Sequence, residues 1–342
     1  MNQNRPLPIH PKPHPTENLL GYVLRLYSMN GCGIPRAFQH LSLLSPMAGS
    51  DRMIDRERLS ALTLHPPSVF DRLGVKVGPS KYEMLGQAVP NVEIRDGDAK
   101  FCPACAREKG FIETHFQLSL MIGCPEHKRR LLSTCPGCKQ ALRWARPGIF
   151  ECDCSCDLSG AELQPIPESE ALLLEILRRK ALVLEQSSSL PTAFPSEQLA
   201  TMKLSSLLEL IRMLGKFRLF AFGEREVGDD AAVLSAAVVV LNHWPKGIHD
   251  LLSDLAFSYR TRRGKSVKTG LDRFSDALLN GALHADMSFI DDAIDNFYKL
   301  NRRRLELKCD LRERGWEDRH ARVSASAQLE VFNDVDSARL AR

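Results

Sequence analysis

Cys102-Pro-Ala-Cys105, Cys124-Pro-Glu-His127, Cys135-Pro-Gly-Cys138 and Cys152-Asp-Cys154-Ser-Cys156 punctuate the stretch from Phe101 to Leu158. Four clusters of paired ligands make two four-ligand sites, and tetrahedral zinc takes four cysteine or histidine donors. Two ligands two residues apart suit a tight turn, whose backbone N–H groups point at the thiolates. Two such turns close one site. Pairing in chain order gives a first site of Cys102, Cys105, Cys124 and His127. The second is Cys135, Cys138 and two of the trio Cys152, Cys154 and Cys156. Disulfides are the competing reading, and they require an oxidising compartment for which the sequence carries no signal. Four ligands per site leave no position open for a catalytic water, so the metals are expected to be structural.

Outside this stretch the composition is that of an ordinary globular protein. Of 342 residues, 44% are hydrophobic and 26% charged, enough chain for two to four domains with real cores. Cys32 and Cys309 are the cysteines left over, read as buried or inert thiols. The chain starts on alternating prolines with no basic-then-apolar leader, and its longest apolar run, Ala231 to Leu241, is too short to span a bilayer. These features predict a cytoplasmic protein with no membrane partner. A net charge of +4 does not by itself announce nucleic acid.

Pro6, Pro8, Pro11, Pro13 and Pro15 make an extended arm that cannot be helical. Such an arm is a natural contact for a partner protein; the alternative is a strap packed on its own domain. Thr16 is expected to cap a first helix with Glu17 in its first turn, and Leu19, Tyr22, Val23, Leu26 and Tyr27 follow at helical spacing. A second helix is expected from Pro35 to Leu44, a third from Arg56 to Leu64 and a fourth from Pro67. Short helices with tight turns fit a helix-turn-helix domain and equally a plain helical one. Residues 80–100 read as a connector. Beyond the cysteines, the periodicity predicts helices at about 170–185, 203–222, 229–242, 248–259, 271–283 and 288–302.

Basic residues cluster in three places. Lys128, Arg129 and Arg130 follow His127 directly and read as a solvated turn in preference to a phosphate contact. Arg260, Arg262, Arg263, Lys265 and Lys268 lie in a glycine-containing, non-periodic segment suited to a loop facing a polyanion, and Arg302, Arg303 and Arg304 form the third cluster. No catalytic constellation emerges. There is no GxxxxGK[ST] phosphate loop. A zinc deaminase needs His-x-Glu ahead of its Pro-Cys-x-x-Cys, and none of the ten histidines is followed two residues later by glutamate. His115 reads as a packed histidine more readily than as a spare ligand.

The arm and first helix, Pro15-Thr-Glu-Asn-Leu-Leu-Gly-Tyr-Val-Leu-Arg-Leu26, resemble the opening of the TniQ/TnsD family of transposon target-selection proteins. The cysteine stretch is similar to that family's in order and spacing, as is Leu241-Asn-His-Trp-Pro245. In the last cysteine element the family has Cys-x-Cys-Gly-x-Asp-Leu. Aligning Asp157-Leu158 makes Cys152 and Cys154 the ligands, Ser155 the replaced glycine and Cys156 a supernumerary thiol.

The resemblance implies a target selector rather than an enzyme, with two structural zinc ions. Its partners would be an AAA+ ATPase regulator of transposition and target DNA, with a CRISPR effector and its guide RNA as one route to that DNA. A homodimer is known for some effector-bound members. The length favours the shorter, TniQ-like adaptor; an autonomous sequence-specific DNA binder is the alternative, and a zinc hydrolase or deaminase a remote one. The expected architecture is mainly α with small zinc-binding modules. It comprises an N-terminal helical domain over 1–100, a double zinc module over 101–162, a linker and amphipathic helix over 163–200, and a C-terminal helical domain over 201–342.

Overall fold

Asn18, not Thr16, begins the first helix. Its side-chain oxygen accepts from the Gly21 N–H at 2.9 Å, and α1 runs Leu19–Met29. Glu17, expected in the first turn, is instead buried against Arg25 at 2.7 Å. A computed structural model describes residues 6–31, 56–70, 73, 75–76, 81–95, 97–184, 194–222, 229–257, 270–271, 273–274, 277 and 288–315. The predicted second helix, Pro35 to Leu44, lies outside them. The third is present as α2, Arg56–Thr63, while the fourth is only a 3-10 turn, Pro67–Phe70.

The proline arm is a strap. Leu7 N–H donates to Leu62 O at 2.9 Å, and Asn30 holds both the N–H and the carbonyl of Ile9. Tyr22 Oη donates to Pro11 O at 2.9 Å and Arg25 Nη2 to Lys12 O at 2.9 Å. His14 stacks on Phe111 with ring centroids 4.3 Å apart. Every second or third residue of the strap is a proline with no N–H to satisfy, and the His14 N–H, like those of Leu7 and Ile9, finds an acceptor, Glu17 Oε2 at 3.0 Å. Of the two readings of the arm, the structure has the strap for residues 6–15.

The stretch taken for a connector forms a sheet. Strands β1 (Val75–Lys76), β2 (Lys81–Met84) and β3 (Gln87–Pro90) pair antiparallel in that order. Leu85 and Gly86 link β2 to β3 with φ of 50° and 78°, so both central residues of the tight turn are left-handed, as a twisted two-residue hairpin requires. Tyr82, Met84 and Val89 face the core.

In the cysteine stretch, helix α3 (Pro103–Lys109) starts on Cys102 and ends at left-handed Gly110. The two-stranded β4 (Gly123–Cys124) and β5 (Arg129–Arg130) follow, then a hairpin closed by the Thr134–Ala141 bridge. Half-buried Lys100 fixes the intervening loop by donating to the carbonyls of Leu118, Ser119 and Met121 at 2.6, 3.1 and 2.9 Å.

The remaining helices are α4 (Glu168–Ala181), α5 (Ser196–Thr201), α6 (Leu204–Ala221), α7 (Asp230–Leu241), α8 (Lys246–Phe257) and α9 (Ser288–Gly315). All but α5 sit where periodicity predicts them. α6 packs on α7, α7 on α8, and α8 on α9. One hydrophobic core runs from Leu19 through Phe101 and Leu173 to Phe297. Polar ties cross the same seams: Arg212 of α6 contacts Glu93 and Ser119, and Arg95 pairs with Asp230 at 2.7 Å. The chain is thus mainly helical, built around small metal-binding modules and one short sheet. Among the described residues no single helix is long and apolar enough to cross a membrane.

Candidate metal centres

Each ligand pair is presented by a different local device. Cys102 is the N-cap of α3 and Cys105 lies in its first turn, with Pro103 at the position where a missing N–H costs nothing. Cys124 ends β4, and the turn after it brings the His127 N–H to Cys124 Sγ at 3.4 Å. Cys135 and Cys138 sit at the tip of the second hairpin. Cys152 and Cys154 sit in a turn where Ser155 N–H donates to Cys152 O at 2.8 Å. The residue after the second ligand is left-handed in three of these turns: Lys128, Lys139 and Ser155 have φ of 50°, 61° and 63°.

The donor atoms of Cys102, Cys105, Cys124 and His127 all lie within 4.8 Å of one another, as do those of Cys135, Cys138, Cys152 and Cys154. A tetrahedral ion with metal–sulfur bonds of ~2.3 Å spaces its sulfurs about 3.8 Å apart and holds sulfur about 3.6 Å from nitrogen. In the first site Cys102, Cys124 and Cys105 stand 3.6, 3.5 and 3.2 Å from His127 Nδ1. In the second, Cys135 to Cys154 is 3.7 Å and Cys138 to Cys152 is 3.9 Å. Cys156 is half-buried and outside the quartet, with its sulfur beside Gly137.

Crowded thiols cannot all ionise alone. Hydrogen bonds from Cys105 and Cys124 pull Cys102 down, and Cys102 in turn pushes both of them up. In the second site burial opposes ionisation of Cys135, yet the N–H groups of Cys138 and Gly137 draw it down to about 6. Several thiolates within 4.8 Å repel strongly unless a cation sits between them. Both donor sets therefore fit a divalent ion.

The surroundings of the first site were not visible in its ligand spacing. His127 Nε2 lies 3.0 Å from Glu108 Oε1, which fixes the ring so that Nδ1 faces the sulfurs. Glu126 accepts from Cys105 Sγ at 3.2 Å and also pairs with Lys109 at 2.7 Å and Arg178 at 2.5 Å. Glu108 follows Cys105 by three residues, so a carboxylate one helical turn beyond the second ligand was the available signal.

The other predicted sites fare differently. Arg302 and Arg303 are exposed on α9; the side chain of Arg304 and all of Arg260, Arg262, Arg263, Lys265 and Lys268 lie outside the described residues. Lys128 pairs with Glu168 at 2.7 Å, Arg129 donates to Leu163 O at 3.2 Å, and Arg130 stands 3.6 Å from Glu170. Each cation of that run has a partner within the fold. His115 is packed and belongs to neither quartet; burial holds its ring well below the ordinary histidine range, so it is neutral. His249 Nε2 bonds Ala293 O at 2.9 Å, joining α8 to α9.

Residues 8–131 match the model of the TniQ family. The chain carries a TniQ domain. No curated protein matches it. The TniQ domain takes in most of the strap, α1, the three-stranded sheet and the whole first metal site, and it ends before Cys135. TniQ proteins are non-catalytic accessories of transposition, and the domain supports a role in transposon target selection.

Proposed function

We propose that the chain is a target-selection adaptor that couples a target DNA complex to an AAA+ ATPase regulator of transposition, with zinc as the ion in both centres. The observation that supports this best is that a TniQ domain closes on a metal quartet with all four ligands supplied by protein. Cysteine-rich tetrahedral sets favour zinc, and a closed set contributes folding energy rather than chemistry. Among the described residues no acid–base or nucleophile grouping competes with this reading. The chain acts by placing other molecules: the ATPase on one side, and on the other target DNA reached directly or through a CRISPR effector with its guide RNA. A homodimer is compatible with either route.

The test is reconstitution on immobilised target DNA with an AAA+ ATPase regulator of transposition. The expected result is ATPase retention that requires this protein. Equal retention without it would overturn the adaptor reading. A nanomolar, sequence-selective complex with DNA at physiological salt, formed without any partner, would instead favour an autonomous reader.

A further inference from the structure

Arg146 is among the largest fully buried side chains, with 1% of its surface exposed. A guanidinium stays charged in any protein environment, so its burial needs an anion or a complete set of acceptors. Its acceptors are three carbonyls of its own loop: Arg143 O at 2.8 Å, Gly148 O at 3.1 Å and Ile149 O at 3.3 Å. Phe101 offers its ring face 5.3 Å from the guanidinium carbon. No carboxylate among the described residues pairs with it; Glu151, the nearest by sequence, is exposed, and Asp153 goes to exposed Arg143 at 3.2 Å. Carbonyl dipoles and a ring face moderate a charge without neutralising it.

The same loop runs into a cluster of thiols. Arg143–Glu151 is the loop that connects the two halves of the second quartet, Cys135–Cys138 and Cys152–Cys154. Gly148 and Glu151 bridge to close that loop, and the chain passes straight from there into Cys152. Burial draws the Arg146 guanidinium down to about 10, opposed by the negative charge of Cys152 and then of Asp153. Four thiolates around a divalent ion leave a formal charge of about −2, against about −1 for three thiolates and a neutral histidine. The first centre is surrounded by Lys109 and Arg178, each shared with carboxylates. The second, more negative centre has Arg146, which is shared with none.

We propose that Arg146 is the buried counter-charge of the second metal centre, raising that centre's affinity for its ion through space without ligating it. The inference rests on reading Cys135, Cys138, Cys152 and Cys154 as a metal site. It makes Arg146 a positioning residue for the charge of that site, and it explains why an arginine without a carboxylate is stable in the core.

The test compares the full chain with Arg146→Gln and Arg146→Lys under reducing conditions. Zinc is withdrawn by a chromophoric chelator, and release is followed ion by ion. Wild type should yield two ions; fewer than about one and a half would sink the metal reading itself, before any variant is considered. Arg146→Gln keeps donors for the carbonyls but removes the charge. It should weaken one of the two ions by about tenfold or more, the scale on which outer-shell partners act (~10–100-fold). The other ion should be unmoved, and acid release of the weakened ion should begin at higher pH. Arg146→Lys keeps the charge and disturbs the carbonyl geometry, and should hold both ions within about threefold of wild type. A role in packing alone predicts no such split, with Lys as damaging as Gln. That outcome, or a Gln variant that binds like wild type, overturns the proposal. If Arg146→Gln does not fold, the Lys variant decides by the same threefold criterion.

Discussion

Ser155 shows how a metal turn constrains a single residue. Its φ of 63° is left-handed, a conformation that costs a residue with a Cβ ~1–2 kcal/mol and costs glycine nothing. Ser155→Gly should therefore stabilise the metal-loaded chain by about 1 kcal/mol, read as a higher denaturant midpoint at unchanged slope. The neighbouring thiols separate by the same geometry. Cys154→Ser should lose one ion from metal analysis, whereas Cys156→Ser should keep both, because Cys156 stands outside the quartet; the reverse ranking would mean the wrong ligand has been chosen. Lys100 offers a pH test. Burial draws its ammonium from 10.5 down to about 7, so between those values the unfolded chain holds the extra proton. Stability from this group is complete above the unfolded value and is lost as pH falls toward 7. Lys100→Met should flatten the rise in stability between pH 7 and 9, alongside an overall loss from three stranded carbonyls. The ligands themselves were legible because two-residue spacing is a local signal. Glu108, Lys100 and Arg146 were not, since their partners lie 19, 18–21 and 2–3 residues away and are set by loops that no periodicity encodes.

The helices were legible for the reason the sheet was not: a helix repeats its apolar signal over several turns, while β2 and β3 offer only four residues each. Leu85-Gly86 also conceals the hairpin, because a left-handed pair usually announces itself with Asn or Asp ahead of the glycine. The strap was ambiguous because extended prolines look alike whether they pack on their own domain or await a partner. Its hydrogen bonds now predict the effect of removing it. Deleting residues 1–14 eliminates the ties of Leu7, Ile9, Pro11 and Lys12, together with the His14–Phe111 stack. At about 1 kcal/mol per hydrogen bond the loss is roughly 3–5 kcal/mol, a clear fall in thermal midpoint. Unchanged unfolding would show that the strap contributes little. At the α6–α7 crossing, Gly215 lets two backbones meet. A Cβ there would stand 2.1 Å from Val233 O, which a helix can relieve only by moving apart from its neighbour. Alanine would gain about 1 kcal/mol in helix propensity, but overpacking against backbone costs more, so Gly215→Ala should destabilise by about 2 kcal/mol. A stabilised variant would mean that the two helices are not so closely held.

On the scale of the whole molecule, the metal module lies between the strap domain and the helical bundle, and its ties to each are of different kinds. On one side the ties are backbone hydrogen bonds: just beyond α3, Asn18 N–H donates to Ile112 O and Thr114 N–H to Thr16 O, each at 2.8 Å. On the other, Glu126 holds Arg178 of α4, Gly123 lies against Ile166, and Arg212 reaches back to Glu93 and Ser119. Structural zinc supplies ~10–16 kcal/mol of apparent binding energy per site, as much as the entire net stability of an ordinary domain. The knuckles have little secondary structure to fall back on once the ions leave. The α6–α7 pair, by contrast, packs Leu207, Leu210, Ile211 and Leu214 against Val233, Leu234 and Ala237 within one continuous helical core. The effect of removing the metal ions under reducing conditions should therefore be uneven along the chain. Hydrogen exchange should accelerate across residues 99–166 and in α1, whose capping region bonds to the module. Amides of Leu204–Ala221 and Asp230–Leu241 should keep measurable protection, with circular dichroism retaining much of its helical signal. If protection in these two helices falls together with that of the knuckles, the molecule is one cooperative unit and the bundle depends on the metals. If exchange over 99–166 does not change, the quartets are not the scaffold their geometry describes.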